Sequence, residues 1–287
     1  MKRFLKNCIH FSLYLLCINL LSFLVIKANY YDQYTTFNDS FDTYLFSDSH
    51  GAQLEETTEE QGIFNFSDPS DSYEDMFRKV KYTVAHSQVK KILISADAHT
   101  MSTYREEYNN LDRSTIYAAQ DDYESSYDQF LQRYLRRYVP LLNGKSRDAL
   151  LLDIKSLIPK PFSPELLWSE KTKEERESKA KLRASIHFEN SERSVKMEKF
   201  IEKIITLCRE NNIQLKGIKF PLTSEYRAEI PGKGYSVEEV LRKHAIEVHD
   251  FSAIFEGQSE YFGDQDHLNE LGASIFSPIL KKEINLP

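Results

Sequence analysis

The stretch Tyr44-Leu45-Phe46-Ser47-Asp48-Ser49-His50-Gly51 decides how the chain is read. Three large apolar residues in a row make a short buried strand, and the small polar residues with Gly51 make the turn that leaves it. A serine in a tight turn directly after a strand has its hydroxyl exposed. A helix or turn that follows can aim backbone N–H groups at a developing oxyanion. Further strands are expected at 62–66, at Lys91-Ile92-Leu93-Ile94-Ser95, at 213–220 and at 246–251. The Lys91–Ser95 run is continuously apolar in its middle, as in a sheet covered on both faces.

Helical patterns lie between these strands. Met76, Phe77, Val80 and Val84 share a face of a helix from Ser72 to about Ser87. Met197, Phe200, Ile201, Ile204 and Leu207 mark another, stopped near Asn211-Asn212. Ser236 with Glu239 forms a capping box for a short helix to Lys243, and a last helix starts near Asn269. Strands alternating with helices give a three-layer α/β/α class with a mostly parallel, doubly wound sheet. In such sheets ligands bind beyond the carboxyl ends of the strands, where Ser49 falls. Tyr123, Tyr127, Phe130, Tyr134 and Tyr138 recur every three or four residues. That spacing reads as a helix packed on the core, with a sugar-stacking platform as the alternative. Charge dominates 169–183, which reads as a solvated helix or loop.

The N-terminus is of another kind. Lys2, Arg3 and Lys6 precede an uncharged run from Cys8 to Ile26 that closes at Lys27. This is just long enough to cross a bilayer as a helix. Basic residues before the span place the N-terminus in the cytoplasm and the rest outside. Ile26-Lys27-Ala28 is a poor cleavage site, which favours an uncleaved anchor over a cleaved signal peptide; a cleaved signal would instead give a secreted or periplasmic protein. The chain thus divides into an anchor at 1–28, a polar neck at 29–43 and a domain at 44–287 with a helical insertion at about 104–195. Of three cysteines, Cys8 and Cys17 lie in the apolar run, so Cys208 has no disulfide partner in the domain. The 287 residues carry 44 acidic and 37 basic side chains, for a net charge of −7, which argues against nucleic acid. Eighteen Phe and 17 Tyr supply a core. No Gly-rich phosphate loop and no zinc spacing occur, so neither cofactor nor metal is expected.

The second chemical segment is Gly263-Asp264-Gln265-Asp266-His267, just before the last helix. A serine nucleophile needs a base, and the base needs a carboxylate to fix its tautomer. Asp266 taken alone reads equally well as an acid at a helix N-terminus. His86, His187, His244 and His249 read as surface or packing residues, and His50 as a residue lining the site.

Together, Ser47-Asp48-Ser49 and Asp264-Gln265-Asp266-His267 resemble the SGNH (GDSL-like) hydrolase superfamily. Its members carry the nucleophile in a Gly-Asp-Ser turn after the first strand and an Asp-x-x-His near the C-terminus. Here Ser47 stands in place of the glycine, and the second element matches in full. The resemblance implies a triad of Ser49, His267 and Asp264. It puts Ser67 and Asp97 where the family has its glycine and asparagine oxyanion donors. Ser67 can still donate its backbone N–H, but an ionised Asp97 cannot donate, so either His99 or Asn65 substitutes or the hole differs from the family pattern. With Asp48 and His50, these are the residues expected to line the site. The anchored topology is similar to that of the D-alanine-transfer protein of teichoic acid synthesis and of alginate acetylation proteins. It implies an esterase or O-acyltransferase acting on a cell-surface polysaccharide, beside a membrane-bound acyltransferase. The alternative is a noncatalytic glycan-binding or scaffold protein of such a complex.

Overall fold

A computed structural model describes residues 1–156, 166–189, 192–232 and 235–284. The strands are β1 (Thr43–Phe46), β2 (Phe64–Asn65), β3 (Lys91–Ser95), β4 (Gln214–Lys219) and β5 (Val248–Asp250). The helices used below are α1 (Lys2–Ile26), α2 (Ser49–Ala52), α3 (Tyr73–His86), α4 (Gly144–Ser156), α5 (Lys173–Ala184), α6 (Val195–Glu210), α7 (Val237–Lys243) and α8 (Glu270–Glu283). The described residues fall into two compact units, one of 1–35 and 111–156, the other of 36–110 and 166–284.

The larger unit is built on one sheet of order β2-β1-β3-β4-β5, with every pairing parallel. The expected doubly wound α/β class is therefore the observed one. In parallel register, Leu45 lies beside Leu93, and Ile94 beside Gly217. Period-two alternation sends Leu45, Leu93 and Ile218 to one face, where they bury against Phe276, Leu280 and Ala273 of α8. The other face carries Tyr44, Phe46, Ile92 and Ile94, all fully buried. There Gly217 is required: a Cβ would stand 2.6 Å from Leu241 of α7. Helices α3 and α6 present Met76, Val80, Ile201, Ile204 and Ile205 as buried residues. Two N-caps form, and Ser236 is the one the sequence predicts. Ser72 accepts from the Asp75 amide at the start of α3, and Ser236 from the Glu239 amide at the start of α7.

The smaller unit holds α1, whose continuation in wider turns runs over Lys27–Tyr31. It is long and apolar enough to span a membrane, and nearly all its side chains are exposed. The aromatic stripe departs from its expected packing. It is broken into Ser126–Gln129, a wider-turned Phe130–Leu135 and Arg136–Tyr138. Tyr127, Phe130, Tyr134 and Tyr138 are exposed, and only Tyr123 is buried. Amphipathic spacing identifies a face, but says nothing about what covers it.

Candidate active site

The site lies at the carboxyl ends of β1 and β3, within the larger unit. Strand β1 ends at Phe46, and the chain turns through Ser47 and Asp48 into α2, which begins with Ser49. Gly51 makes this turn possible: a Cβ there would meet Ser47 Cβ at 2.5 Å and Ser67 Oγ at 2.7 Å. The Asp48 carboxylate caps α2 by accepting the His50 amide at 3.1 Å, and the Gly51 amide donates to Ser47 Oγ at 3.2 Å. This one-turn helix is thus tied back to the two residues that precede Ser49.

The loop before α8 supplies the other half. Asp264 Oδ1 accepts the amides of Asp266 and His267 at 3.0 and 2.9 Å, so the Asp-x-x-His spacing closes a local turn. The same carboxylate holds His267 Nδ1 at 2.8 and 2.9 Å. His267 Nε2 in turn lies 2.8 Å from Ser49 Oγ. Ser49, His267 and Asp264 therefore form a continuous hydrogen-bonded chain across 218 positions of sequence. Asn269 then caps α8 through the Gly272 amide. Gly272 packs so closely that a Cβ would stand 2.2 Å from the Tyr261 carbonyl oxygen, which fixes the loop against its helix. A surface cavity of about 630 Å³, lined by Gln53, Glu55, Asp264, His267 and Glu270 among others, opens beside His267.

The residues named as oxyanion donors are turned to other partners. Asp97 Oδ2 receives Ser95 Oγ at 3.2 Å and faces His50 Nδ1 at 2.8 Å, and Oδ1 accepts the Phe220 amide at 3.1 Å. Asn65 Nδ2 donates to the carbonyls of Gly51 and Glu55, bracing the segment after Ser49. His99 Nε2 lies 2.5 Å from Asp48 Oδ2. The Ser67 amide donates to Asn65 Oδ1 at 3.3 Å. Its loop is anchored by the buried Lys79, whose ammonium donates to the Phe66 carbonyl, Asp68 and Asp71.

Behind Ser49 lies a buried ionic network that the sequence reading does not contain. Arg105 bonds Asp48, and Arg183 bonds Asp266 at 2.9 Å. His50 stands between Asp97 and Asp266, the latter at 3.6 Å. Burial disfavours the charged forms of Asp48, His50 and Asp266, but their neighbours prevail. Arg105, then His99 and His50, hold the Asp48 carboxyl well below the usual range. Asp97 and Asp48 overcome burial to push His50 from 6.5 up to about 10. His50, His267 and Arg183 likewise hold the Asp266 carboxyl low. His99, by contrast, is lowered, because burial outweighs the attraction of Asp48. Asp48, Asp97 and Asp266 thus face Arg105, Arg183 and protonated His50, and of these side chains Arg183 alone reaches solvent. Asp266, open in the sequence to reading as a helix-end acid, is 1% exposed and takes part in this network, while Asn269 caps the helix. His187 is also buried, stacked on His99 at 4.9 Å with Nδ1 2.6 Å from the Tyr226 hydroxyl. No local motif marks Arg105 or Arg183.

Two groups of side chains approach closely enough to share an ion: Asp48, His50 and His99, and His50, Asp266 and His267. Asp48 is already bonded to His99 and Arg105, and Asp266 to Arg183, so the two guanidinium groups supply the positive charge a cation would bring.

No family model and no curated protein matches the chain. Among solved structures, a proposed acylhydrolase from Bacteroides fragilis NCTC 9343 is similar at 8% identity, covering 90% of this chain and 94% of that one, with a TM-score of 0.41.

Proposed function

We propose that the chain is a membrane-anchored serine esterase or O-acyltransferase of SGNH type, with its larger unit outside the cytoplasm. The observation that carries this reading is the Asp264–His267–Ser49 hydrogen-bonded chain, with 2.8 Å between His267 Nε2 and Ser49 Oγ. His267 takes the Ser49 proton as Oγ attacks an ester carbonyl, and Asp264 stabilises the imidazolium that forms. The tetrahedral oxyanion is met by the backbone amides of Ser49 and Ser67. Collapse expels the alcohol, which leaves with the proton from His267 and gives an acyl-Ser49. Water or a sugar hydroxyl then attacks by the reverse sequence. A cell-surface polysaccharide as acceptor, and a membrane-bound acyltransferase as partner, follow from the family resemblance.

The engagement of Asp97, Asn65 and His99 elsewhere favours a second reading, a noncatalytic glycan-binding or scaffold protein on the same fold. A fluorophosphonate probe separates the two. The catalytic reading expects labelling of the wild-type chain that is lost in both Ser49→Ala and His267→Ala. Folded wild-type protein that takes no label refutes it and leaves the binding protein.

A further inference from the structure

We infer that the smaller unit docks into the bilayer interface, with the exposed apolar side chains of its 130–156 segment, among them Tyr138, Leu142 and Leu152, resting on phospholipid. The inference rests on α1 being a membrane span. The apolar run from Cys8 to Ile26 is 19 residues by its numbering. As a helix it covers about 28 Å, against a hydrocarbon core of about 30 Å. It has no length to spare, so it cannot slide outward.

The later segment is bonded to that run, and at a depth inside it. The Asn19 side-chain amide donates to the Tyr138 carbonyl at 2.9 Å. Asn19 lies seven residues before Ile26, about 10 Å down the helix axis. The Phe23 ring packs on Tyr138 with centroids 5.4 Å apart. Nearer the end of the span the joints multiply: Tyr31 Oη meets Ser146 Oγ at 2.9 Å, Arg137 covers the Tyr31 ring at 4.5 Å, and Asn29 donates to Asp153 at 3.1 Å. Once α1 crosses a bilayer, Tyr138 is drawn below its surface.

The chemistry of the exposed side chains suits that position. Tyr134, Tyr138, Leu142, Leu151, Leu152 and Ile154 are 46–65% exposed. Such a set is costly in water and at home at the junction of headgroups and acyl chains, where tyrosine is enriched. Arg136, Arg147 and Lys155 are exposed on the same segment, and their charge selects anionic headgroups. The exposed aromatic stripe thereby gains an occupant: lipid covers it.

Full-length protein in phosphatidylcholine–phosphatidylglycerol vesicles with brominated acyl chains tests this. The native Trp168 is 1% exposed and gives a fixed baseline, measured in the wild type. Leu15→Trp reports the span, and Leu142→Trp and Leu152→Trp report the docked face. All three added fluorophores should be quenched at least twofold by bromine, and shielded from acrylamide in water. Quenching of Leu15→Trp, with Leu142→Trp and Leu152→Trp open to acrylamide and untouched by bromine, overturns the docking while the span stands. Failure of Leu15→Trp to quench overturns the span, and the docking with it.

Discussion

Replacing Arg105 by Met tests the ionic network behind Ser49 more directly than any change to the triad. The substitution keeps an apolar stem of similar length and removes only the guanidinium. Asp48 is fully buried, and after the change it keeps the His50 amide at 3.1 Å and His99 Nε2 at 2.5 Å but loses the Arg105 guanidinium that bonds it. Removing one partner of a buried ion pair costs about 3–5 kcal/mol, because the other charge stays desolvated. The two remaining bonds place this case near the lower end, about 3 kcal/mol. For a chain of this size, with m of about 3 kcal/mol per M, the urea midpoint should fall by about 1 M. The second half of the experiment assigns the cause. In the Asp48→Asn background there is no charge to strand, and the same Arg105→Met change should cost about 1 kcal/mol or less, a coupling of about 2 kcal/mol. Urea unfolding of the four full-length proteins in detergent measures it. A loss below about 1 kcal/mol for Arg105→Met alone, or equal losses in both backgrounds, would refute the argument that Asp48 is held as a carboxylate by Arg105.

Three other outcomes follow from the same geometry. Gly51→Ala forces a methyl to within 2.5 Å of Ser47 Cβ, so it should cost about 1–3 kcal/mol and move α2; fluorophosphonate labelling of Ser49 should slow by at least tenfold, and unchanged labelling would show that the turn relaxes freely. Asp264→Asn should preserve the fold but reduce ester turnover by about 10⁴-fold, since the amide favours the wrong His267 tautomer; turnover on p-nitrophenyl acetate checks this. Stability should also depend on pH from both sides. His50, raised to about 10, contributes fully below its ordinary 6.5, and that contribution is lost as pH climbs toward 10. Asp48 and Asp266, both lowered, contribute above the ordinary carboxylate value, and that part is lost as pH falls through it. Urea midpoints should peak between about pH 5 and 6.5, and a midpoint still rising from pH 7 to 10 contradicts a protonated His50.

The sequence by itself determined the elements of the sheet. Lys91–Ser95, apolar in its middle, and Gln214–Lys219, with Leu215 and Ile218 among polar residues, are short segments whose strand character is local. The Ser72 and Ser236 caps and the Asp264–His267 turn are equally local: each is closed by hydrogen bonds across two or three positions. What the tertiary structure decided is everything that depends on which charge meets which. Arg105 and Asp48 are 57 positions apart, and Arg183 and Asp266 are 83. No periodicity relates such residues, and a charged residue looks the same in sequence whether it is solvated or buried. Asp97 fills a family donor position by order along the chain, yet the fold gives it to His50 and the Phe220 amide. The tyrosine stripe shows the same limit from the apolar side. Its spacing defined one face of a helix, but a face has no covering until the chain returns to it. The hydrogen bond from Asn19 to Tyr138, across 119 positions, is what sets that face beside the apolar span.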